Sequence, residues 1–425
     1  MTRNCKAVCC GVLILLLLLS TVACDKFSEV NGDTTASDAT DAQTTEPTES
    51  GEVPESTGQT TEQATEQTTE QTMEQTTEQT MEQITDQTTQ TEPPATEQST
   101  AAPDPDGSIV TASDAGYTYP DLVDDLVALA ETYGEYFTYK SIGKSVDGRE
   151  IFACVVGNPN AEKKVLLTGG IHGKEYLSSL LAMTQVEHYL KNRETGSYNG
   201  LTYAEMLESC AFYVLPMINP DGVMLALCGI ESMQTPEVRA TVEKIYADNL
   251  RDGLTTSDDI NVYLAYNWKA NANGVDLNRN FALSNWSEVR TGILAPCFRN
   301  YKGPSAASEP ETRAVSAYVE SLGDIHALLA YHTAGQVVYW DCGMTGGVRQ
   351  ETYDLAKAVC AQTGYKLIYD AHLDASLNDW VTLEKDIPSL TVEIATVEYP
   401  MPASMLKDAF AQTKELWVLT VQPWS

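Results

Sequence analysis

The segment Val165-Leu166-Leu167-Thr168-Gly169-Gly170-Ile171-His172-Gly173-Lys174-Glu175-Tyr176 contains the pattern that decides the fold. An apolar strand ends in two glycines, and a helix-like run over 176–190 follows. His172 and Glu175 are three positions apart, so they lie on one side of the first helical turn beyond the strand end. With one more nitrogen or oxygen ligand, they form a zinc site that leaves a coordination position open for water. The H-x-x-E spacing alone is a weak signal, and other residues have to support it.

Apolar strand-like runs alternate with amphipathic helices in the C-terminal three quarters of the chain. This alternation predicts an α/β fold with a mixed central β-sheet flanked by helices on both faces. Sites in such folds gather at the carboxyl ends of strands. The predicted strands are 149–156, 164–169, 211–217, 325–331, 336–340, 365–369 and 389–395, and the predicted helices are 120–133, 176–191, 236–247, 308–322, 349–362 and about 403–420.

The N-terminus predicts export from the cytoplasm. An apolar run over 7–23 follows Arg3 and Lys6, as in a secretory signal, so 1–24 is assigned as a signal peptide. Small residues precede Cys24 and polar Asp25 follows it, which favours a bacterial lipoprotein signal with lipid attached to Cys24. An uncleaved N-terminal anchor and plain secretion are the alternatives. All three predict an extracellular protein, and the first two predict anchoring to the cell membrane surface.

Residues 25–107 have the composition of a disordered linker. They are rich in Thr, Glu, Gln and Pro, and a Glu-Gln or Asp-Gln pair recurs every four residues from position 62 to position 86. A chain with so few large apolar residues cannot bury enough surface to fold. We interpret it as an acidic tether in front of a catalytic domain at 108–425.

The charge balance excludes nucleic acid as a partner. The chain has 60 acidic and 26 basic residues, for a net charge of −34. The linker holds 20 of the acidic residues, and 108–425 keeps 40 acidic and 23 basic residues, or −17. Nucleic-acid binding needs a basic surface. The same domain has six cysteines and no C-x-x-C, so the sequence leaves open up to three disulfides or buried free thiols.

His332 is the best third metal ligand among the five histidines of the chain, because it ends the apolar run 325–331. His188 is predicted to be a surface residue late in a helix, and His326 a structural residue at a strand start. His372 lies in a polar loop. The predicted zinc ligands are therefore His172, Glu175 and His332.

Two further features carry chemistry. Asn278 and Arg279 lie in a polar run bracketed by aromatic residues, and together they can bind a carboxylate through a guanidinium fork and an amide. A purely structural pair between Arg279 and Asp276 is the alternative. Glu393 is a lone acid inside a strand pattern, where a buried carboxylate is costly unless it is paired, metal-directed or catalytic.

These motifs together resemble the zinc carboxypeptidase family of the carboxypeptidase A type. The resemblance extends from about Tyr117 to the C-terminus, and further matching segments are Ser141–Arg149, Asn219–Gly222, Gly274–Phe281 and Tyr301–Thr312. It implies one zinc ion held by His172, Glu175 and His332. It also implies that Glu393 is the general base and acid, and that Asn278 and Arg279 grip the carboxylate of the substrate's terminal residue.

The chain departs from the pancreatic type of this family at several positions. Lys269 stands where those enzymes carry an oxyanion-stabilising Arg, so the cation is kept and the bidentate fork is lost. The mobile Tyr that covers the substrate maps onto Ala371 by strict spacing, and onto Tyr369 if two residues are inserted. Asn378 stands where the family has the residue at the base of its specificity pocket, and it is neither an acid nor an apolar residue.

The leading hypothesis is an extracellular zinc metallocarboxypeptidase that acts on peptides as a monomer. The second is a cell-wall peptidase that cuts γ-D-glutamyl-diaminopimelate bonds in peptidoglycan stem peptides. The third is a non-catalytic surface binding module. The intact set of ligands, base and arginine argues against the third hypothesis, because a binding module has no need to retain it.

Overall fold

The computed structural model describes residues 107–369, 372–396 and 399–424. The predicted signal segment with Cys24 and the predicted linker up to residue 106 lie outside the described residues, so those assignments stay predictions. The strands are β1 Phe137–Lys144, β2 Glu150–Gly157, β3 Lys163–Thr168, β4 Ser197–Tyr198, β5 Leu201–Thr202, β6 Cys210–Leu215, β7 Ala327–Thr333, β8 Val337–Tyr339, β9 Lys366–Ile368 and β10 Ser389–Ile394.

Helices connect most of these strands. They are α1 Tyr119–Tyr133, α2 Tyr176–Lys191, α3 Tyr203–Ser209, α4 Pro220–Cys228, α5 Pro236–Arg251, α6 Ile260–Asn267, α7 Pro310–Leu322, α8 Gly346–Thr363, α9 Leu377–Lys385, α10 Leu406–Thr413 and α11 Leu416–Val421. Within the described ranges, no helix is both long enough and apolar enough to cross a membrane.

Eight strands form one mixed sheet in the order β1-β2-β6-β3-β7-β10-β8-β9. The four central strands β6, β3, β7 and β10 run parallel to one another, whereas β2 pairs antiparallel with β1 and β6, and β8 pairs antiparallel with β10. The carboxyl ends of β3, β7 and β10 therefore meet at one edge of the sheet. The predicted α/β fold with a mixed central sheet is confirmed.

Two apolar cores cover the two faces of this sheet. In β3, Val165 and Leu167 join the core formed with α1 and α2, whereas Leu166 joins the core formed with α7 and α9. All three side chains are fully buried. A strand that is buried on both faces has an unbroken apolar sequence, which is why β3 could be recognised so readily.

Several elements escaped the sequence analysis. Strand β1 was missed because only Phe137 in it is buried, so it has no apolar run. Helices α4, α6 and α9 were missed because each has only eight or nine residues, too few for a periodic pattern. The helix predicted over about 403–420 is wrong as a single element: it is a 3-10 turn at Ala403–Met405 followed by α10 and α11.

Five of the six cysteines of the domain are free thiols, namely Cys154, Cys210, Cys297, Cys342 and Cys360, and the first three are buried. The disulfide alternative is therefore wrong for the described residues. The prediction for His188 is also wrong, because this half-buried ring packs edge-on against Tyr189, Tyr203 and Phe410. His326 stacks on Trp424 with ring centroids 4.7 Å apart.

Candidate metal centre and substrate cavity

The sheet brings the three predicted ligands together at one edge. Gly169 and Gly170 lead from the end of β3 to His172, and His332 lies in β7, beside β3. Gly170 has φ +61°, and a Cβ there would clash with the Ser179 hydroxyl, so this passage requires glycine. Strand β10 pairs Glu393 directly with His332.

The side chains of His172, Glu175 and His332 form a compact buried group. Their nearest ligand atoms all lie within 4.8 Å of one another. His172 Nδ1 is 3.1 Å from Glu175 Oε1, and His332 Nδ1 is 3.1 Å from Glu175 Oε2. His172 Nδ1 and Glu175 Oε1 are buried without a well-directed hydrogen bond. Two buried polar atoms without such bonds in a group of two imidazoles and one carboxylate fit a zinc ion.

The charges around the group keep Glu175 ionised. Burial by itself raises the pKa of Glu175, but the charges of Lys269 and His172 and the hydrogen bonds from His172 and His332 hold this pKa well below its usual value. Lys269 Nζ is 2.7 Å from Glu175 Oε1. Burial lowers the pKa of His332 and so favours its neutral form. An ionised carboxylate and a neutral imidazole are the forms that bind a metal.

Asp276 is a functional residue that sequence analysis missed. Its Oδ1 lies 3.2 Å from His172 Nε2, the ring nitrogen that faces away from Glu175. Asp276 also accepts hydrogen bonds from the backbone N–H groups of Asn278 and Asn300. A carboxylate in this position fixes the tautomer and orientation of a ligating imidazole. Among the described residues, Asp276 and Arg279 do not form an ion pair. Asp276 instead contacts His172, and Arg279 pairs with Asp374.

Substituting Asp276 with Asn tests this role. We expect zinc affinity to fall about 10- to 100-fold, because the uncharged Asn amide is a weaker acceptor for the His172 imidazole than the Asp276 carboxylate. Competition with a chelator of known affinity measures this change. Asp259→Asn is a matched control, since Asp259 caps α6 through backbone N–H groups. Unchanged zinc affinity in Asp276→Asn would mean that His172 is oriented by other contacts.

Glu393 and Lys269 face the same space. Glu393 is half-buried as a residue, but its Oε2 atom is buried and has no hydrogen-bond partner. Burial and then the negative charge of Glu175 raise the pKa of Glu393 to about 8. A carboxyl group with a raised pKa is suited to accept and return a proton near neutral pH. Lys269 remains a cation, because the neighbouring carboxylates raise its pKa despite its burial.

Asn278 and Arg279 lie on a 3-10 turn, Leu277–Arg279, at the wall of the same cavity. The Arg279 guanidinium is 3.1 Å from Asp374 and donates to the Asn278 carbonyl. The Asn278 side-chain oxygen accepts from the backbone N–H of Leu377, which leaves its amide NH₂ as the group available to a ligand. The site therefore brings Glu393, Lys269, Asn278 and Arg279 together with the three metal-binding residues.

The cavity has a volume of about 250 Å³ and extends from the metal-binding residues to Asn378. Asn378 is 8% exposed, and its side-chain oxygen and nitrogen both lack a hydrogen-bond partner. Asp341 and Asp379 also line this end of the cavity and are buried. A buried amide with both groups unpaired is costly until a ligand supplies a donor and an acceptor.

Tyr369 stands apart from the cavity lining. Its side chain is 62% exposed, and its ring packs against Trp340, a lining residue, at 6.0 Å between centroids. Its role as the substrate-covering residue stays a prediction, and Ala371 lies outside the described residues. Tyr399 is a further residue near the metal centre that the sequence did not indicate. Its hydroxyl donates to the carbonyl of Thr333, which follows His332. His372 lines the cavity.

A mixed β-sheet covered by helices, with a buried two-histidine, one-carboxylate group at its edge, defines the chain as an α/β protein with a candidate metal centre. Residues 122–416 match the family model described as zinc carboxypeptidase, and the chain belongs to this family.

The chain is 28% identical to a γ-D-glutamyl-L-diamino acid endopeptidase 1 from Lysinibacillus sphaericus over 291 residues, which cover 68% of each protein. It is 26% identical to human mast cell carboxypeptidase A over 231 residues, 54% of this chain and 48% of the relative. The fold is also similar to the crystal structure of thrombin activatable fibrinolysis inhibitor, with a TM-score of 0.57 and 17% identity over 75% of this chain and 76% of the other.

Proposed function

We propose that the protein is a zinc carboxypeptidase that hydrolyses the last peptide bond of a substrate with a free C-terminal carboxylate. The observation that carries this proposal is that Arg279 and Asn278 line the same 250 Å³ cavity as the metal-binding residues. A cation in the wall of the cavity selects a chain end over an internal segment, because a chain end brings an α-carboxylate that an internal segment lacks.

The zinc would be held by His172, Glu175 and His332, which is the donor set that this metal prefers. When bound, zinc supplies a Lewis acid that activates water and polarises a carbonyl group. Glu393 accepts the proton of the attacking water and returns a proton to the leaving amine. Lys269 stabilises the negative charge that develops on the carbonyl oxygen. Arg279 and Asn278 hold the terminal carboxylate and so fix which bond reaches the site.

The end of the cavity at Asn378 suits a substrate whose terminal residue has a polar side chain. The unpaired amide of Asn378 requires a ligand with both a donor and an acceptor. Asp379 beside it favours a positively charged donor, whereas the Asp341 carboxylate is already paired with Arg349. An amino acid side chain with an ammonium group, or with an ammonium and a carboxylate together, meets these requirements. An apolar side chain would leave the amide unpaired.

The unpaired amide of Asn378 also favours a second candidate, a cell-wall peptidase that cuts γ-D-glutamyl-diaminopimelate bonds. Diaminopimelate carries an ammonium and a carboxylate at its far end, which matches the donor and acceptor of Asn378. The similarity to the L. sphaericus relative, named for γ-D-glutamyl-L-diamino acid bonds, also supports this substrate. We further propose that the enzyme is exported and anchored at the cell surface through Cys24.

Paired substrates test the carboxylate requirement. Zinc-loaded protein should cleave peptides with a free C-terminus and leave the same peptides with an amidated C-terminus intact. Arg279→Gln should lower kcat/KM for the free peptides by about 10- to 100-fold, because a charge-assisted hydrogen-bond pair is worth about 1.5–3 kcal/mol. Arg313→Gln is the matched control, since Arg313 is an exposed residue of α7 whose guanidinium binds backbone carbonyls of the loop before this helix.

Digestion of purified muropeptides in parallel separates the two candidates. Cleavage of linear peptides supports the carboxypeptidase, whereas cleavage of muropeptides alone supports the cell-wall peptidase. Equal rates on free and amidated peptides would refute the role given to Arg279. No hydrolysis of either substrate class would support the third hypothesis, a binding module.

A further inference from the structure

We propose that Asp374 is a specificity-determining residue that favours substrates whose terminal residue carries an ammonium group in addition to its carboxylate. The Asp374 carboxylate shares the Arg279 guanidinium with the carboxylate of the substrate. This inference rests on the proposed function, because it takes Arg279 to hold the end of the substrate. It adds a residue of the chain that competes for the same cation and so decides which chain ends bind well.

Asp374 and Arg279 meet in the wall of the cavity. Arg279 Nη2 lies 3.1 Å from Asp374 Oδ2, and Arg279 Nη1 donates to the Asn278 carbonyl at 2.8 Å. All three residues line the same cavity. A guanidinium binds a carboxylate most strongly through two parallel N–H groups. A substrate carboxylate that reaches Arg279 therefore meets a guanidinium that already has one carboxylate in contact.

Hydrogen bonds join the two chain segments that carry this ion pair. The N–H of Phe281 donates to the Ala375 carbonyl at 3.1 Å, and the N–H of Leu377 donates to the Asn278 side-chain oxygen at 3.1 Å. The two backbones are therefore fixed relative to each other. Only a rotation of the side chains separates the carboxylate from the guanidinium.

The backbone of Asp374 is also tied to the start of α9. Its N–H donates to Asp379 Oδ2 at 2.8 Å, and the Ser376 N–H donates to the same oxygen at 3.1 Å. Asp379 and Ser376 form the capping box of α9. Asp379 is buried and lines the cavity as well. Two carboxylates of one short segment therefore line the cavity that also contains Arg279.

The charges indicate which ligands this arrangement favours. The Asp374 side chain is 41% exposed and that of Arg279 is 20% exposed, so water screens their attraction and a ligand can compete with it. A substrate with a neutral side chain brings a second carboxylate to one guanidinium, and the two carboxylates repel each other. An ammonium group on the terminal residue, inside the same cavity of about 250 Å³, adds a second positive charge and offsets this repulsion.

Two pairs of substrates identify the source of the ammonium. The first pair is a peptide that ends in lysine and the same peptide that ends in norleucine, which lacks only the ammonium. The second pair is γ-D-glutamyl-linked diaminopimelate and γ-D-glutamyl-linked 2-aminopimelate, which lacks only the far ammonium. For zinc-loaded wild type, kcat/KM should be about fivefold higher for the ammonium member of at least one pair. The pair with the larger ratio identifies the kind of terminal residue.

Asp374→Asn assigns the preference to this residue. The amide removes the negative charge and keeps the backbone N–H that binds Asp379. For the neutral member of each pair, kcat/KM should rise about fivefold, because the substrate carboxylate no longer shares Arg279 with a second carboxylate. For the ammonium member, the loss of the competitor and the loss of the attraction offset each other. The ratio within the preferred pair should therefore fall about fivefold, which measures the coupling between Asp374 and the ammonium.

Binding measurements separate affinity from chemistry. Calorimetry of the same substrates with Glu393→Gln protein, with and without Asp374→Asn, should show the same change in the ratio of Kd values. Asp324→Asn is the matched control, since Asp324 is exposed in the loop between α7 and β7, and it should keep the wild-type rates and ratios. Zinc content and the midpoint of thermal unfolding are measured for every variant.

The outcomes separate this inference from the proposed function. Equal ratios in the wild type and Asp374→Asn, with hydrolysis intact, overturn the role of Asp374 and leave the peptidase unaffected. Slower hydrolysis of the neutral substrates by Asp374→Asn also overturns it, since Asp374 would then serve to hold Arg279 in position. Failure of the wild type to hydrolyse all four substrates and the free-carboxylate peptides refutes the proposed function, and the inference falls with it.

Discussion

Glu393→Gln should hydrolyse peptides about 10²- to 10⁴-fold more slowly than the wild type while it still binds zinc. The amide cannot accept the proton of the attacking water. The substitution preserves the shape of the side chain, and Glu393 Oε2 has no hydrogen bond that the amide would break. It also removes the charge repulsion with Glu175 that contributes to the raised pKa of Glu393. Folding and metal affinity should therefore be retained.

Three measurements check this expectation: kcat/KM on a free-carboxylate peptide, zinc content per chain, and the midpoint of thermal unfolding. Glu384→Gln is a matched control, since Glu384 is an exposed residue of α9 that binds Ser284. Activity of Glu393→Gln within about tenfold of the wild type would contradict the general-base role. Loss of zinc together with activity would instead point to a structural role at the metal centre.

The sequence revealed the ligands because their positions depend on local patterns. His172 follows a strand that is buried on both faces, and such a strand has an unbroken apolar sequence. His332 and Glu393 lie within two further apolar runs that turn out to be neighbouring strands in register. A pattern-based reading finds such residues because the strand itself determines where the side chain points.

The contacts between distant segments could not be predicted in the same way. Asp276 lies 104 residues from His172 in the chain, and nothing in its own sequence neighbourhood identifies its partner. The motif that contains Asn278 and Arg279 suggested a pair between Arg279 and Asp276. The fold instead places Asp374 beside Arg279 and so leaves Asp276 for His172.

The start of α7 shows a local pattern that tertiary contacts override. Ser308-Glu309-Pro310-Glu311 is typical of a capping box, yet α7 begins at Pro310 without a side-chain cap. Glu309 accepts from Asn271 and Asn273, and Glu311 accepts from the Val146 N–H and Asn271. Both carboxylates therefore tie distant loops to the helix and are not available for capping. Such a change of partner is visible only once the fold is known.

Lys269→Met should lower kcat about 10²- to 10³-fold, because it removes a cation that stabilises the oxyanion in the transition state. KM should change much less, since the ground-state carbonyl carries little charge. Lys269 Nζ lies 2.7 Å from Glu175 Oε1, so the substitution also removes a positive charge that keeps the pKa of Glu175 low. Zinc affinity is measured beside kcat to separate these two effects.

Lys269→Arg is the matched variant, because a guanidinium at this position keeps the positive charge and offers its donors as a planar bidentate fork. It should restore most of the kcat that Lys269→Met loses, at full zinc occupancy. If Lys269→Met keeps wild-type kcat when saturated with zinc, the lysine serves only to neutralise Glu175. If Lys269→Arg is as slow as Lys269→Met, the compact ammonium itself is required, and the departure of this chain from the arginine of the pancreatic type reflects a different position of the oxyanion.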